Sequence, residues 1–213
     1  MIQHLKGILL LGTASLLLLP ACSQKQAQES VSRDPKVVLN CIGVLPVQTA
    51  VDYDDSLSIA QSKQLKEGAT LLDSLLERAF AGRRDVRFVT SSQLYGLKNS
   101  SEADGPVGVK LVAEQLSCNG MMEVIISRYH DRVGGDYTAK TPASVAFDYR
   151  LYEVESGQVL CHGSFDEVQQ TFMENLYNWK RARSPGFTWI TGEQLLKEGL
   201  EEKIDQCPYL QAP

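Results

Sequence analysis

From residue 37 to residue 47 nearly every side chain is apolar and several are β-branched (Val37-Val38-Leu39-Asn40-Cys41-Ile42-Gly43-Val44-Leu45-Pro46-Val47), which predicts a strand buried on both faces. The period then changes. Over 56–82, Leu65, Ala69, Leu72, Leu76, Ala79 and Phe80 recur at helical spacing, with Lys63, Lys66, Glu67, Asp73 and Glu77 off that stripe. Gly82 is placed to close this helix. Val86 to Thr90 predicts a short strand, 91–105 a loop ending in Asp104-Gly105-Pro106, and Val107 to Leu116 a second helix.

Met121 to Val133 predicts the next strand, apolar on both faces around Val124, Ile125 and Ile126, and Gly134-Gly135 a turn. The clearest alternation follows in Ser144 to Val154, where Val145, Phe147, Tyr149 and Leu151 oppose Asp148, Arg150 and Tyr152. Glu155-Ser156-Gly157 is a hairpin turn, and Val159 to Phe165 pairs back as a fifth strand. Phe172, Leu176 and Trp179 restore helical spacing until Arg181 to Gly186 breaks it. Thr191-Gly192-Glu193-Gln194 fits a capping box, opening a last helix with Leu196, Leu200 and Ile204 on one face and Pro208 beyond its end. The predicted order is β-α-β-α-β-β-β and then helices. That is an α/β (α+β) fold: a single five-stranded mixed sheet with C-terminal helices packed on it, without internal repeats.

The N-terminus has a different logic. Lys6 supplies a positive charge, and Ile8 to Leu19 form an apolar run interrupted only by small residues. The run falls short of the about 20 apolar residues that span a bilayer, so residues 1–21 read as a signal peptide, outside the fold. Leu19-Pro20-Ala21-Cys22 resembles the bacterial lipobox, with Pro20 a less usual occupant. The resemblance implies cleavage between Ala21 and Cys22 and lipidation of Cys22 by at least two acyl chains, palmitate among them, enough for stable anchoring. Ser23 stands where an aspartate retains many such proteins at the inner membrane, which implies the outer membrane, on its periplasmic side. Residues 22–36 are polar, rich in Gln and Ser, and predict a flexible tether; 37–213 predict one periplasmic α/β domain.

Removing residues 1–21 leaves 192 residues (213 minus 21), with 20 basic residues (21 minus Lys6) against 26 acidic, a net −6. This suits one domain with a proper core. The acidic balance argues against nucleic acid as a partner and against electrostatic attachment to anionic lipid. The lipid is then the expected membrane attachment.

Four cysteines follow Cys22: Cys41, Cys118, Cys161 and Cys207. In an oxidising compartment they suggest disulfides, with three complete pairings open. Cys41 and Cys161 lie in apolar strand stretches, where cysteine is often a small buried hydrophobe. Cys118 and Cys207 lie at helix ends, and the expected bridge is Cys118–Cys207.

Several segments carry a family resemblance: Leu45-Pro46-Val47, Val124-Ile125-Ile126-Ser127-Arg128-Tyr129 and the hairpin around Glu155-Ser156-Gly157-Gln158-Val159-Leu160. They resemble the periplasmic α/β domain of the TolB N-terminal and CsgG-like type. Pro142-Ala143-Ser144-Val145-Ala146-Phe147, Phe165-Asp166-Glu167-Val168-Gln169 and Trp189-Ile190-Thr191-Gly192-Glu193-Gln194-Leu195 are similar to a group of Gram-negative outer-membrane lipoproteins of like length. The chain departs from that group at Cys161-His162, where tryptophan is more usual, and at Cys118-Asn119-Gly120. The resemblance implies the fold over about 37–208 and little chemistry, because the group shares no agreed activity.

No catalytic, cofactor or metal motif stands out: no phosphate loop, no HExxH, no GxSxG. His130 and His162 read as strand residues, and a pairing of either with an aspartate and a cysteine is weaker than a solvated histidine. The densest polar cluster is Arg128, Tyr129, Asp131 and Arg132 with Asp166, Glu167, Gln169 and Gln170. Arg128, Tyr129, Arg132, Asp166 and Gln169 form the candidate partner surface, arginine and tyrosine being common interface anchors. The competing reading is a salt-bridged sheet end beside a helix start at Asp166-Glu167. Phe172, Tyr177, Trp179, Phe187 and Trp189 concentrate aromatics near the C-terminus, mostly as core. The expected role is a non-enzymatic lipoprotein that binds protein partners, itself among them, or assists envelope assembly. A ring-forming secretion- or flagellum-associated subunit is the second reading, and an envelope hydrolase the third. A membrane pore would need additional strands of about 9–11 residues, and 121–154 is already committed to the sheet.

Overall fold

The structure, a computed structural model, describes residues 33–50, 58–98, 106–169 and 189–211. The signal peptide, Cys22 and the tether as far as residue 32, the segment around Phe172, Tyr177 and Trp179, and Phe187 lie outside the described residues.

The chain runs β1 (Ile42–Val44), β2 (Gln48–Thr49), α1 (Ile59–Ala79), β3 (Val86–Phe88), α2 (Ser91–Lys98), α3 (Pro106–Leu116), β4 (Gly120–His130), β5 (Val133–Gly135), β6 (Thr138–Thr141), β7 (Ser144–Glu153), β8 (Val159–Val168) and α4 (Gly192–Gln206). The main sheet has the order β3-β1-β4-β7-β8, with β2 also against β4. β1 is parallel to β3 and β4, β2 is parallel to β4, and β4, β7 and β8 form an antiparallel meander. The mixed α/β architecture therefore holds, with more elements than the sequence pattern resolves.

The strand expected over 37–47 keeps only Ile42–Val44 as β1, and a second short strand, β2, follows just beyond it at Gln48–Thr49. Pro46 lacks an N–H and cannot continue a ladder. Leu45 still donates to the Met122 carbonyl at 2.9 Å, but the Val47 N–H turns to the Asp73 carboxylate of α1, also at 2.9 Å. β2 then resumes pairing along β4.

Three other expectations change. The loop over 91–105 begins as α2, whose entry at Thr90 is capped by the Thr90 and Gln93 side chains. The turn at Gly134-Gly135 belongs to a second, two-stranded sheet, β5–β6. Phe165 to Val168 continue β8 and do not start a helix. Strand pairing with β7 through Ser144↔Val168 holds this stretch extended.

Adjacent residues of β4 show the layers. Met122, Val124 and Ile126 face a large core with Leu72, Leu76, Phe147, Phe165, Leu196 and Leu200, under α1 and α4. Met121 faces the other way, into a smaller core with Leu45, Val89, Val112 and Ala113 under α3. β7 has the expected alternation at Val145, Phe147, Tyr149 and Leu151, buried, against Asp148 and Arg150, exposed, but Tyr152, expected on the same side as these two, packs against the smaller core. Each fully buried large aliphatic side chain contributes about 1.5–3 kcal/mol. Among the described residues no helix is long and apolar enough to cross a membrane.

The four cysteines form Cys41–Cys118 and Cys161–Cys207, with Cα–Cα distances of 4.5 and 5.9 Å. The expected Cys118–Cys207 bridge is incorrect. Cys41 leads into β1 and Cys118 precedes β4, and these strands are neighbours starting at the same end, with Gly120 donating to the Cys41 carbonyl at 3.0 Å. Cys207 caps α4, which lies on β8 at Cys161. The bridges span 77 and 46 residues, loops whose closure stabilises the fold by on the order of 4 kcal/mol each in the chain-entropy account.

Candidate functional site

The candidate surface lies where β4 ends and α4 begins. The register of β4 against β7 shifts between Ile126 and Arg128, a bulge that places Arg128 opposite Ala146, whose other neighbour on β8 is Asp166. Arg128 reaches across β7 to form an ion pair with Asp166 and donates to the Val145 carbonyl at 3.4 Å. Its Nε is buried, with no hydrogen-bond partner among the described residues.

Tyr129 points to the opposite face. Its ring lies between α1 and α4, over Gly68 and Gly192: a Cβ on Gly68 would lie 2.6 Å from the Tyr129 Cβ and Cγ, and one on Gly192 3.0 Å from the ring edge. Burial, then the nearby carboxylates Asp131, Glu193 and Glu67, push its hydroxyl pKa up. Tyr129 thus wedges two helices against the sheet.

The remaining residues fasten residues 189–192. Arg132 donates to the Trp189 carbonyl at 2.8 Å and pairs with Asp136, whose own carbonyl accepts from the Trp189 N–H at 2.7 Å. Gln169 accepts from the Ile190 N–H at 2.9 Å. Asp131 accepts from the Gly192 N–H at 2.7 Å, at the first turn of α4. The capping box is formed as expected, with Thr191 accepting from the Gln194 N–H at 3.2 Å and Gln194 from the Thr191 N–H at 3.0 Å.

All five residues of the candidate surface therefore sit at one end of the sheet. Arg128 and Asp166 meet, Arg132 and Gln169 hold adjacent residues, and Tyr129 lies on the helix side. Their polar groups hold the fold together before any partner is added. Beside them the β5–β6 hairpin exposes Val133 and Tyr137, and the end of β8 exposes Val168, side chains not singled out from the sequence. A period-2 pattern marks which residues leave the core, and these stand on short or terminal strand positions where that period is hardly sampled.

The thiol that a histidine–aspartate pairing would need is not supplied by Cys41, Cys118, Cys161 or Cys207, all of which are in disulfides. His162 is exposed on β8 opposite Arg150, and His130 ends β4 opposite Ser144. Among the described residues no three His, Cys, Asp or Glu side chains are placed to hold a metal ion. A shallow depression on the outer face of α1, lined by Ile59, Ser62, Lys63, Lys66, Glu67 and Thr70, draws all of these from one helix.

No protein-family model matches this chain, and no curated protein matches it. Among solved structures it is similar to the PelC dodecamer from Paraburkholderia phytofirmans, at 12% identity and TM-score 0.44, over 82% of this chain and 89% of that one. It is similar to the LpoB C-terminal domain from Salmonella enterica, at 16% identity and TM-score 0.37, over 63% and 87%. Lipoprotein GNA1162 from Neisseria meningitidis shares 12% identity at TM-score 0.39, over 68% and 99%. Solved structures similar to this chain thus include a bacterial lipoprotein, and similarities of this size carry no argument about what this chain does.

Proposed function

We propose that this chain is an exported lipoprotein, anchored through Cys22 in the periplasmic leaflet of the outer membrane, whose α/β domain of TolB N-terminal or CsgG-like type binds protein partners as a non-enzymatic accessory factor of the envelope. The observation that carries the reading is the cysteine arrangement. Every cysteine after Cys22 is in a disulfide, which suits an oxidising compartment, while Cys22 itself follows the apolar run in a lipobox-like context. The partner surface is the sheet end around the Arg128–Asp166 pair and the β5–β6 hairpin, where Val133 and Tyr137 stand exposed. An exposed tyrosine beside half-buried, ion-paired arginines favours a protein partner.

Two measurements test this. Palmitate labelling followed by membrane fractionation should give label in the outer-membrane fraction, lost with Cys22→Ala; label-free wild type would end the anchor reading. Crosslinking in intact envelopes should capture a defined protein with wild type and lose it with Tyr137→Ala, a substitution that removes no internal contact described here. Equal capture by both would move the partner surface elsewhere, and capture of nothing would remove the binding role.

A further inference from the structure

The fold gathers a second set of charges at the corner where the tether joins the domain. Arg33 donates to the Pro208 carbonyl at 3.1 Å and stacks over the Tyr209 ring, 5.2 Å from its centroid. The Asp34 N–H donates to the Tyr209 hydroxyl at 2.8 Å. Arg83, just past α1, donates to the Leu210 carbonyl and pairs with Asp85. Two guanidiniums about fifty residues apart in sequence therefore converge on carbonyls two residues apart, beyond the C-terminus of α4. Lys36 and Arg84 are exposed beside them, and neither side chain has an ion pair among the described residues.

The corner thus holds Arg33, Lys36, Arg83 and Arg84 against Asp34 and Asp85, with Asp205 in the last turn of α4. The carbonyls that accept Arg33 and Arg83 carry partial negative charge but no formal charge, so the Arg33 cation is positioned without being neutralised. The chain as a whole is acidic, and this local excess of cations runs against its average.

We propose that this corner docks on anionic phospholipid headgroups of the membrane that carries the anchor. The inference rests on the lipid-anchor reading for its geometry. Arg33 is eleven residues from Cys22, a stretch that reaches at most roughly 40 Å, so the root of the tether is the part of the domain that can never leave the bilayer by more than that length. A basic edge there meets phosphate at short range, where each cation strengthens binding about fivefold, while the acidic remainder lies further off and is screened. Docking fixes which end of the domain faces away: the sheet end at Arg128 and Tyr137 then points towards partners.

The test uses the mature chain, residues 22–213, with Cys22→Ser so that no acyl chain contributes. Cosedimentation is measured with vesicles of phosphatidylcholine alone and with 30 mol% phosphatidylglycerol. Binding several-fold greater on the anionic vesicles, lost in 0.5 M salt, and reduced at least tenfold by Lys36→Glu with Arg84→Glu, is the expected result. Both substituted side chains are exposed, and thermal melts confirm that the variant is folded. Absence of lipid-dependent binding, equal binding to neutral vesicles, or an unaffected variant would each overturn the proposal. Palmitate labelling of Cys22 reports on the anchor separately: labelled protein without anionic-lipid preference defeats the docking alone, and preference without label defeats the anchor alone.

Discussion

The Asp131 carboxylate accepts the backbone N–H of Gly192, 61 positions later in the chain, at 2.7 Å. The same oxygen takes the Arg132 N–H at 2.8 Å. A carboxylate here satisfies a donor of the first turn of α4 and faces the positive end of its dipole. Gly192 is buried, so removing the acceptor leaves its N–H without water. Asp131→Ala should cost about 1–2 kcal/mol in urea unfolding, and Asp131→Asn, which keeps an acceptor, clearly less. Equal losses in the two variants would mean that the hydrogen bond is not what the aspartate contributes.

The cysteine pairing gives a sharper test. Non-reducing peptide mapping should recover Cys41 joined to Cys118 and Cys161 joined to Cys207. A Cys118–Cys207 peptide would contradict this fold. Cys161→Ala with Cys207→Ala should lower stability by on the order of 4 kcal/mol, and should loosen the turn at Tyr209 that holds Arg33 and Asp34.

Gly68 sits inside α1, where alanine would ordinarily gain about 1 kcal/mol in helix propensity. Here the added methyl meets Tyr129 at 2.6 Å, and the atoms it meets are the Cβ and Cγ, fixed by the strand backbone. Overpacking of this kind costs about 1–3 kcal/mol, so the steric term wins. Gly68→Ala should melt at a lower temperature than wild type, and a higher melting temperature would refute the wedge.

Asp73 and Asp85 pull the pH dependence in opposite directions. Burial raises the Asp73 pKa above 3.8, the Val47 N–H partly offsetting it and Glu77 adding to it. A raised folded pKa favours the fold fully below 3.8, and this contribution is lost as pH rises through the folded value. Asp73→Asn keeps an acceptor for Val47 without the partly buried charge, so its stability relative to wild type should be greatest at neutral pH, shrink as pH falls through the folded value, and level off below 3.8. For Asp85 the Arg83 hydrogen bond lowers the pKa below 3.8; its stabilisation is present above 3.8 and lost as pH falls through the folded value. Asp85→Asn should therefore be less stable than wild type at neutral pH, with the deficit closing in acid. Parallel curves for either variant and wild type would remove the assigned cause.

The long periodic elements were legible before any fold was known. The α1 stripe at Leu65, Ala69, Leu72, Leu76 and Phe80 (though not Ala79, which is exposed), the β7 alternation up to Leu151, the hairpin at Glu155-Ser156-Gly157 and the capping box at Thr191 are found where the pattern puts them, because each is set by residues within one or two turns. Short elements were not. α2, β5 and β6 contain too few residues to display a period, and the break at Pro46 looked like one strand because its consequence, the Val47 N–H going to Asp73, depends on a helix 26 residues away.

The candidate surface divides the same way. Sequence by itself determined which residue types were present: two arginines, a tyrosine and two acceptors near the end of a strand, an apolar leader ending at Cys22, and four further cysteines. Only the tertiary structure decided who meets whom. It spent Arg128 on Asp166, Arg132 on Trp189 and Gln169 on Ile190, and it set Cys41 beside Cys118. It also brought Arg33 and Arg83 onto one turn at Pro208 and Leu210. Hydrophobic patterning is a one-dimensional property of burial, whereas hydrogen bonds, ion pairs and disulfides need atoms within a few ångströms, and that proximity is created by strand order and helix packing.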